Sequence, residues 1–176
     1  MALAEFSMLK CYGSGLPLTE TDCSKHPNFV SVNSHETNPA AAPVAVPLIS
    51  GQHNYSFECY LRWKCTVAPD NQCDNFKVWG GPLQPDSPDN KTRVHWGATE
   101  TAAVPVDTQS SVAVTTQHDN YYESGQALSL TVEPGDDIID AINEETWFLV
   151  AQIEVDYGAG KGNLTTQVYH LEWDES

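Results

Sequence analysis

The segment from Tyr55 to Val67 alternates between apolar and polar side chains and breaks this alternation only at Tyr60. A period of two is typical of a β-strand with one buried face, whereas on a helix the same apolar residues would scatter around all sides. At about 3.3 Å per residue the strand would be roughly 40 Å long, so we expect it to be the spine of a whole sheet. Its predicted buried face contains Tyr55, Phe57, Cys59, Leu61, Trp63, Cys65 and Val67.

Other segments with strand character lie between clusters of turn-forming residues. The candidate strands are residues 5–12, 29–33, 75–79, 93–97, 112–116, 127–132, 146–157 and 164–173, and only 118–124 and 136–145 are candidate helices. About nine short strands without intervening helices predict an all-β fold, namely a jelly-roll-like antiparallel β-sandwich. We expect a single domain over residues 1–176, with the proline-rich residues 36–47 forming an extended arm or a covering loop.

The charge balance argues against a nucleic acid partner. The chain has a net charge of −16, with 24 acidic and 8 basic residues, and Lys161 is the only basic residue after position 99. Binding to phosphates depends on Lys and Arg side chains that displace counterions. The same deficit disfavours anionic membranes, and no apolar run approaches the roughly 18 residues of a membrane span. The first residues lack the features of a secretory signal, so we expect synthesis in a cytoplasm.

Five cysteines leave two interpretations open, because an odd number cannot all pair within one chain. Cys65 and Cys73 flank a turn-like segment and are candidates for a disulfide across a hairpin. The favoured alternative is that all five cysteines, including Cys11, Cys23 and Cys59, are buried thiols that act as small hydrophobic residues. The chain contains no C-x-x-C pair, so the cysteines do not indicate a zinc site.

The sequence contains no recognisable catalytic motif. Glu58 and Glu154 are candidate carboxylates for glycoside hydrolysis, but nothing in the sequence pairs them, and we expect them to be surface charges on exposed strand faces. His95 and His170 are expected to face solvent. The carboxylate-rich residues 133–145 lack the spacing of an EF-hand, so a solvated acidic loop is favoured over a calcium-binding loop. We therefore predict no enzyme, no catalytic residue, no cofactor and no metal site.

Tryptophan residues provide the candidate contact positions. Trp63 and Trp147 fall on the apolar faces of their predicted strands and are assigned to the core. The local alternation does not assign Trp79, Trp96 and Trp173 to the buried or the exposed face of their predicted strands. They are therefore candidates for contact with a neighbouring protein or a glycan.

The order of several short motifs resembles that of a family of small all-β structural proteins of tailed bacteriophages and prophages. These motifs are Tyr55-Ser56-Phe57-Glu58, Arg62-Trp63-Lys64, Phe76-x-Val78-Trp79, and Gly97-x-Thr99 followed by Pro105. Trp96 stands where the family more often has tyrosine, and the cysteines and the proline-rich segment lie outside the pattern.

The resemblance implies a non-enzymatic virion protein, such as a capsid decoration, head-fibre, neck or tail-associated subunit. Such a protein is synthesised in the bacterial host cytoplasm and binds copies of itself or other virion proteins such as the major capsid protein. An acidic surface suits the outside of a particle, because packaged DNA would repel it. The alternative is a carbohydrate-binding β-sandwich module that uses surface aromatic residues, and a hydrolase has the least support.

Overall fold

A computed structural model of the chain describes residues 3–23, 28–80, 91–107, 109, 127–133, 135, 137–160 and 169–176. These residues form eleven strands in two antiparallel sheets and one 3-10 helix, Pro39–Ala41, with no α-helix among them. The prediction of an all-β antiparallel sandwich is therefore confirmed. The described part of the chain also contains no helix with the length and hydropathy needed to cross a membrane.

The larger sheet contains eight strands, and the two longest lie side by side at its centre. Its strands are β1 (Glu5–Tyr12), β2 (Thr19–Asp22), β3 (His53–Tyr55), β4 (Cys59–Val67), β6 (Thr92–Thr99), β8 (Val132–Glu133), β9 (Glu145–Thr146) and β10 (Phe148–Asp156). β10 pairs with β4 along one edge and with β6 along the other, and β1 and β2 extend the sheet beyond β4.

A three-stranded sheet covers one face of the larger sheet. It contains β5 (Cys73–Gly80) between β7 (Leu128–Ser129) and β11 (Tyr169–Glu175). We call the covered face of the larger sheet the inner face and the opposite one the outer face. Phe6 of β1 lies between the sheets, with its ring centroid 5.5 Å from that of Phe76 and 4.8 Å from that of Trp173. The main hydrophobic core fills this space.

The long strand predicted from Tyr55 to Val67 is interrupted between β3 and β4. Cys59 pairs with Ala151, whereas Tyr55 pairs with Glu154, so the first strand contains one residue more than its partner between these two pairs. Such an insertion is a β-bulge, and it reverses which face the subsequent side chains occupy. The assignment of Tyr55 to the face of Cys59 is therefore wrong, although Trp63 and both thiols are buried as predicted.

The side chains of Ser56 and Gln152 stabilise this bulge. The backbone N–H of Ile153 donates to the Ser56 hydroxyl (3.1 Å), and the Gln152 amide donates to the Ser56 carbonyl (2.7 Å). Both residues are fully buried, so these bonds replace ladder bonds that the insertion removes.

A second bulge interrupts the other long strand at Trp147. Lys64 pairs with Glu145 and Leu61 with Leu149, so here the extra residue lies between β9 and β10. Trp147 is only partly buried and packs against the smaller core on the outer face, not in the main core as its apparent phase predicts. This smaller core contains Cys11, Tyr60, Phe148 and Val150.

Several other predicted boundaries also change. Residues 29–33 form no strand, and the described part of 136–145 is irregular rather than helical, apart from a bridge from Ile139 to Cys73 and the start of β9. β2 was not predicted, because its sequence, TETD, contains no apolar residue. Candidate segments 112–116 and 118–124 lie outside the described residues, as do residues 164–168 of the last predicted strand.

The proline-rich residues 36–47 lie against their own chain at several points. The Asn54 side chain donates to the carbonyl of Ala45 (2.8 Å), and the N–H of Ser31 donates to the carbonyl of Ala42 (2.9 Å). Outside the short 3-10 helix the segment has no regular secondary structure, which is consistent with the inability of proline to donate to a ladder.

Candidate functional site

A cluster of charged side chains occupies the outer face of the larger sheet at the end formed by β3. Asp156 pairs with His53, and Glu154 pairs with Arg93. His95 lies two residues from Arg93 and therefore on the same face. We call these five residues, His53, Arg93, His95, Glu154 and Asp156, the His53 cluster.

The His53 imidazole lies between the two carboxylates of the cluster. Its Nδ1 is 2.8 Å from Oε1 of Glu154 and 2.5 Å from Oδ1 of Asp156. Within the described residues, His53, Glu154 and Asp156 form the one group of three whose potential metal-ligand atoms all lie within 4.8 Å of one another. The sequence pattern predicts no such group.

The other two members of the His53 cluster, His95 and Arg93, contact Glu154 from the buried side and from the solvent side, respectively. Nε2 of His95 lies 2.5 Å from Oε2 of Glu154, and both side chains are only 7% exposed. Arg93 approaches from solvent with a 44% exposed side chain, and it places Nη1 3.2 Å from Oε1 of Glu154. Glu154 therefore has buried support on one oxygen and an exposed cation near the other.

Tyr55 closes the buried side of the His53 cluster. Its ring meets the His95 ring edge to face, at a centroid distance of 6.1 Å. Burial, followed by the charges of Glu154 and Asp156, raises the pKa of the Tyr55 phenol. Nδ1 of His95 is buried and has no hydrogen-bond partner among the described residues.

A second charged cluster on the outer face surrounds Arg62 and connects four strands. Arg62 forms ion pairs with Glu20, Glu133 and Glu145, and its guanidinium lies 5.2 Å from the centre of the Phe148 ring. Burial lowers the pKa of Arg62, but the neighbouring carboxylates outweigh this effect and raise it overall. Every carboxylate here faces a cation of its own chain, so the cluster has the character of a structural network.

The two carboxylates considered for hydrolysis are buried rather than exposed. Glu58 is 9% exposed and Glu154 is 5% exposed. Oε2 of Glu58 accepts a hydrogen bond from the N–H of Val106 (3.1 Å), and burial raises the pKa of its carboxyl group. The expectation of solvated strand faces is wrong for both residues. The loop that contains Val106 contacts Glu58, whereas Glu154 lies among the other members of the His53 cluster.

The three candidate tryptophans lie in different environments. Trp96 has no exposed surface and belongs to the main core, because its register opposite Ala151 directs it to the inner face. Its expected contact with a glycan or a neighbouring protein is therefore wrong. Trp173 is partly buried against Phe6.

Of the three candidate tryptophans, Trp79 stacks on an aromatic ring at the protein surface. It is partly buried and stacks on the exposed His170, with ring centroids 5.2 Å apart and planes 13° apart. His170 faces solvent as predicted, whereas His95 is buried and does not.

All five cysteines are buried free thiols, Cys65 and Cys73 included. This observation confirms the interpretation of the thiols as small hydrophobic residues. Burial raises the pKa of Cys11 to about 12 and that of Cys73 to about 11, so neither has the thiolate character of a reactive cysteine.

The described carboxylates of residues 133–145 mostly bind groups of their own chain. Oε2 of Glu144 accepts from the N–H groups of Asp140 (2.8 Å) and Ala141 (3.0 Å). Glu133 and Glu145 bind Arg62. These contacts explain their positions without a calcium ion.

An exposed apolar feature lies at the turn before β3. Leu48 is 92% exposed and Ile49 is 61% exposed, and the N–H of Gln52 donates to the carbonyl of Ile49 to close the turn. Gly51 has φ of +82°, as the third position of a type II turn requires. Tyr157, 44% exposed, lies next to this turn because its N–H donates to the carbonyl of Gln52. We call Leu48, Ile49 and Tyr157 the apolar tip.

Sequence reasoning missed the His53 cluster although part of its signal was present. Glu154 and Asp156 share the polar face of a predicted strand, and this spacing places two carboxylates side by side. Pairing with His53 and Arg93 depends on which strands are neighbours, and the local pattern does not contain that information.

Comparisons with known proteins identify no relative: no protein-family model, no curated protein and no solved structure matches the chain. Functional inference for this chain therefore rests on its own residues.

Proposed function

We propose that the protein is a non-enzymatic structural subunit of a tailed-bacteriophage virion, which acts by binding copies of itself or a neighbouring shell protein. The observation that carries this proposal is the apolar tip. Large apolar side chains with 92% and 61% of their surface exposed are adjacent in a chain with a net charge of −16. Contiguous exposed apolar residues with polar surroundings are characteristic of protein interaction sites.

Two further features support an assembly role. The motif order from Tyr55 to Pro105 resembles that of phage structural proteins, and most of the motif residues lie in strands of the two sheets. The acidic charge favours the outside of a DNA-filled particle. Symmetric assembly would repeat the apolar tip around an axis and bury it in each contact.

The test compares self-association of the wild type with that of a double variant, Leu48→Ser with Ile49→Ser. Both side chains are exposed, so we expect the variant to fold normally and to lose association in sedimentation velocity over a concentration series. Ile142→Ser is the matched control, because Ile142 is 56% exposed on a different turn. Mass spectrometry of particles from the encoding phage or prophage then tests for the protein in the virion.

The proposal fails if the wild type stays monomeric at high concentration and the particles lack the protein. Equal association of the double variant and the wild type would show that the apolar tip is not the contact.

The second candidate function is a carbohydrate-binding module, and the Trp79 and His170 stack favours it. A flat aromatic surface next to polar groups suits a sugar ring. A second location is the shallow cleft where Trp147 lies beside Glu100 and Thr131. A glycan array with Trp79→Ala and Trp147→Ala distinguishes the two locations, and no specific glycan signal from the wild type would exclude this function.

A further inference from the structure

We propose that His53, Glu154 and Asp156 form a binding site for a divalent transition-metal ion, with Zn²⁺ as its representative. Nδ1 of His53, Oε1 of Glu154 and Oδ1 of Asp156 are the proposed ligand atoms. The site uses no residue of the apolar tip, although the two adjoin because Tyr157 follows Asp156 in the chain. The proposal does not depend on the assembly function.

The distances between the proposed ligand atoms are slightly shorter than those in an occupied metal site. Nδ1 lies 2.8 Å from Oε1 of Glu154 and 2.5 Å from Oδ1 of Asp156. Ligand bonds of about 2.0 to 2.1 Å in tetrahedral geometry separate ligand atoms by roughly 3.3 Å. Each of these two atom pairs must therefore open by less than about 1 Å when a metal ion enters between the ligand atoms.

Side-chain exposure permits this movement and leaves a path for the ion. The side chain of His53 is 38% exposed and that of Asp156 is 20% exposed, whereas that of Glu154 is 7% exposed. The two outer ligands can shift while Glu154 stays fixed. A three-ligand site with one open side is the arrangement in which zinc keeps a position for water.

The donor atoms select the class of ion. Imidazole nitrogen suits Zn²⁺ and neighbouring first-row ions, whereas Ca²⁺ and Mg²⁺ prefer oxygen ligands alone. Two carboxylates also balance the double positive charge, and the strongly acidic chain raises the local concentration of cations.

His95 provides the support that a ligand carboxylate requires. Its Nε2 is 2.5 Å from Oε2 of Glu154, the oxygen that faces away from the proposed ion. Such outer partners hold ligands in place and contribute to metal affinity. His95 is 6% exposed, and its Nδ1 is buried without a hydrogen-bond partner in the described part of the chain. Such an unsatisfied buried group is rare in folded proteins and frequently marks a functional position.

Arg93 is the competing cation at this position. It lies 3.2 Å from the proposed ligand oxygen of Glu154 and 3.8 Å from Oδ2 of Asp156. Exposed ion pairs of this kind contribute little stability, so a dication can displace the 44% exposed arginine at low cost. Removal of Arg93 should therefore strengthen metal binding.

The experiment measures Zn²⁺ binding to the full chain by titration calorimetry after treatment with a chelator. We expect one ion per chain in the wild type. His53→Gln and Asp156→Asn should each weaken binding by about a hundredfold or more, because loss of even an outer partner costs about 10 to 100-fold. Arg93→Gln should bind more tightly than the wild type.

His170→Gln is the matched control. His170 is exposed on the smaller sheet, so its replacement should leave the Zn²⁺ affinity unchanged. Circular dichroism and metal-free thermal melts show whether each variant is folded, and the exposure of His53 favours folding of His53→Gln. A Co²⁺ spectrum without thiolate charge-transfer bands would exclude ligation by cysteine.

Three results would overturn the proposal. The first is absence of Zn²⁺ binding by the wild type, and the second is binding that both ligand variants retain. The third is loss of binding in Arg93→Gln, because the proposed site uses no atom of Arg93.

Discussion

Replacement of Arg62 by methionine tests whether its ion-pair network stabilises the outer face. The substitution keeps an unbranched apolar stem against Phe148 and removes the guanidinium. The Arg62 side chain is 12% exposed and forms ion pairs with Glu20, Glu133 and Glu145. Methionine would leave these carboxylates without their main partner.

The expected loss depends on the burial of each partner. Removal of one member of a buried ion pair costs about 3 to 5 kcal/mol, whereas an exposed pair contributes about 0 to 1 kcal/mol. Glu145 is 13% exposed, but Glu20 and Glu133 are 31% and 41% exposed and are partly hydrated. We therefore expect a loss near the lower limit, about 3 kcal/mol in the free energy of unfolding.

Urea denaturation followed by tryptophan fluorescence measures this loss. With a slope of about 2 kcal/mol per M, the midpoint should fall by roughly 1 to 2 M. Arg93→Met is the matched control, because Arg93 is 44% exposed on the same face and should lose less than about 1 kcal/mol. In Arg62→Met, Glu145 retains only Lys64 (3.2 Å) as a cationic partner, so adding Glu145→Gln should cost less stability than the same change in the wild type.

Equal midpoints for Arg62→Met and Arg93→Met would refute the reasoning, because burial is the proposed source of the difference between them. Simple additivity of Arg62→Met and Glu145→Gln would refute the coupling of these two charges.

Three further outcomes are expected from buried polar groups. Thr146→Val should lower the free energy of unfolding by about 1 to 3 kcal/mol, because it removes the hydroxyl that accepts a hydrogen bond from the buried N–H of Trp63 (3.1 Å) at the second bulge. Thr146→Ser keeps a hydroxyl and should retain most of the stability in the same urea assay. Glu58→Gln should stabilise the protein more at about pH 7 than at about pH 4. Burial raises the pKa of Glu58 in the folded state, so its contribution favours folding below the unfolded pKa and is lost as the pH rises through the folded pKa; equal effects at both pH values would contradict this assignment. The native protein should not react with a thiol reagent near pH 8, whereas all five cysteines should react in guanidinium, and rapid labelling of the native chain would show that Cys11 or another thiol is accessible.

Local alternation predicted individual strands well where the strand was regular. β1, β5 and β6 lie within one or two residues of their predicted bounds, and Cys59, Leu61, Trp63 and Cys65 occupy the buried face of β4 as the period of two indicates. The pattern failed at Tyr55 and Trp147, because each β-bulge inserts one residue and shifts the phase of the next strand segment.

The candidate sites were less predictable because they depend on residues from different strands. Glu154 and Asp156 belong to one strand, but His53 and Arg93 reach them only through pairing of β10 with β3 and β6. Trp96 was a surface candidate until its register opposite Ala151 placed it in the main core.

The sequence by itself determined the all-β class, the burial of the thiols and the acidic surface, because side-chain periodicity and charge are properties of neighbouring residues. Only the tertiary structure decided which face each side chain occupies after a bulge and which strands lie side by side. The strand order brought His53, Glu154 and Asp156 together, and the bulge after β3 put Tyr55 beside them on the outer face. They depend on contacts between residues distant in the chain, and no local pattern records such contacts.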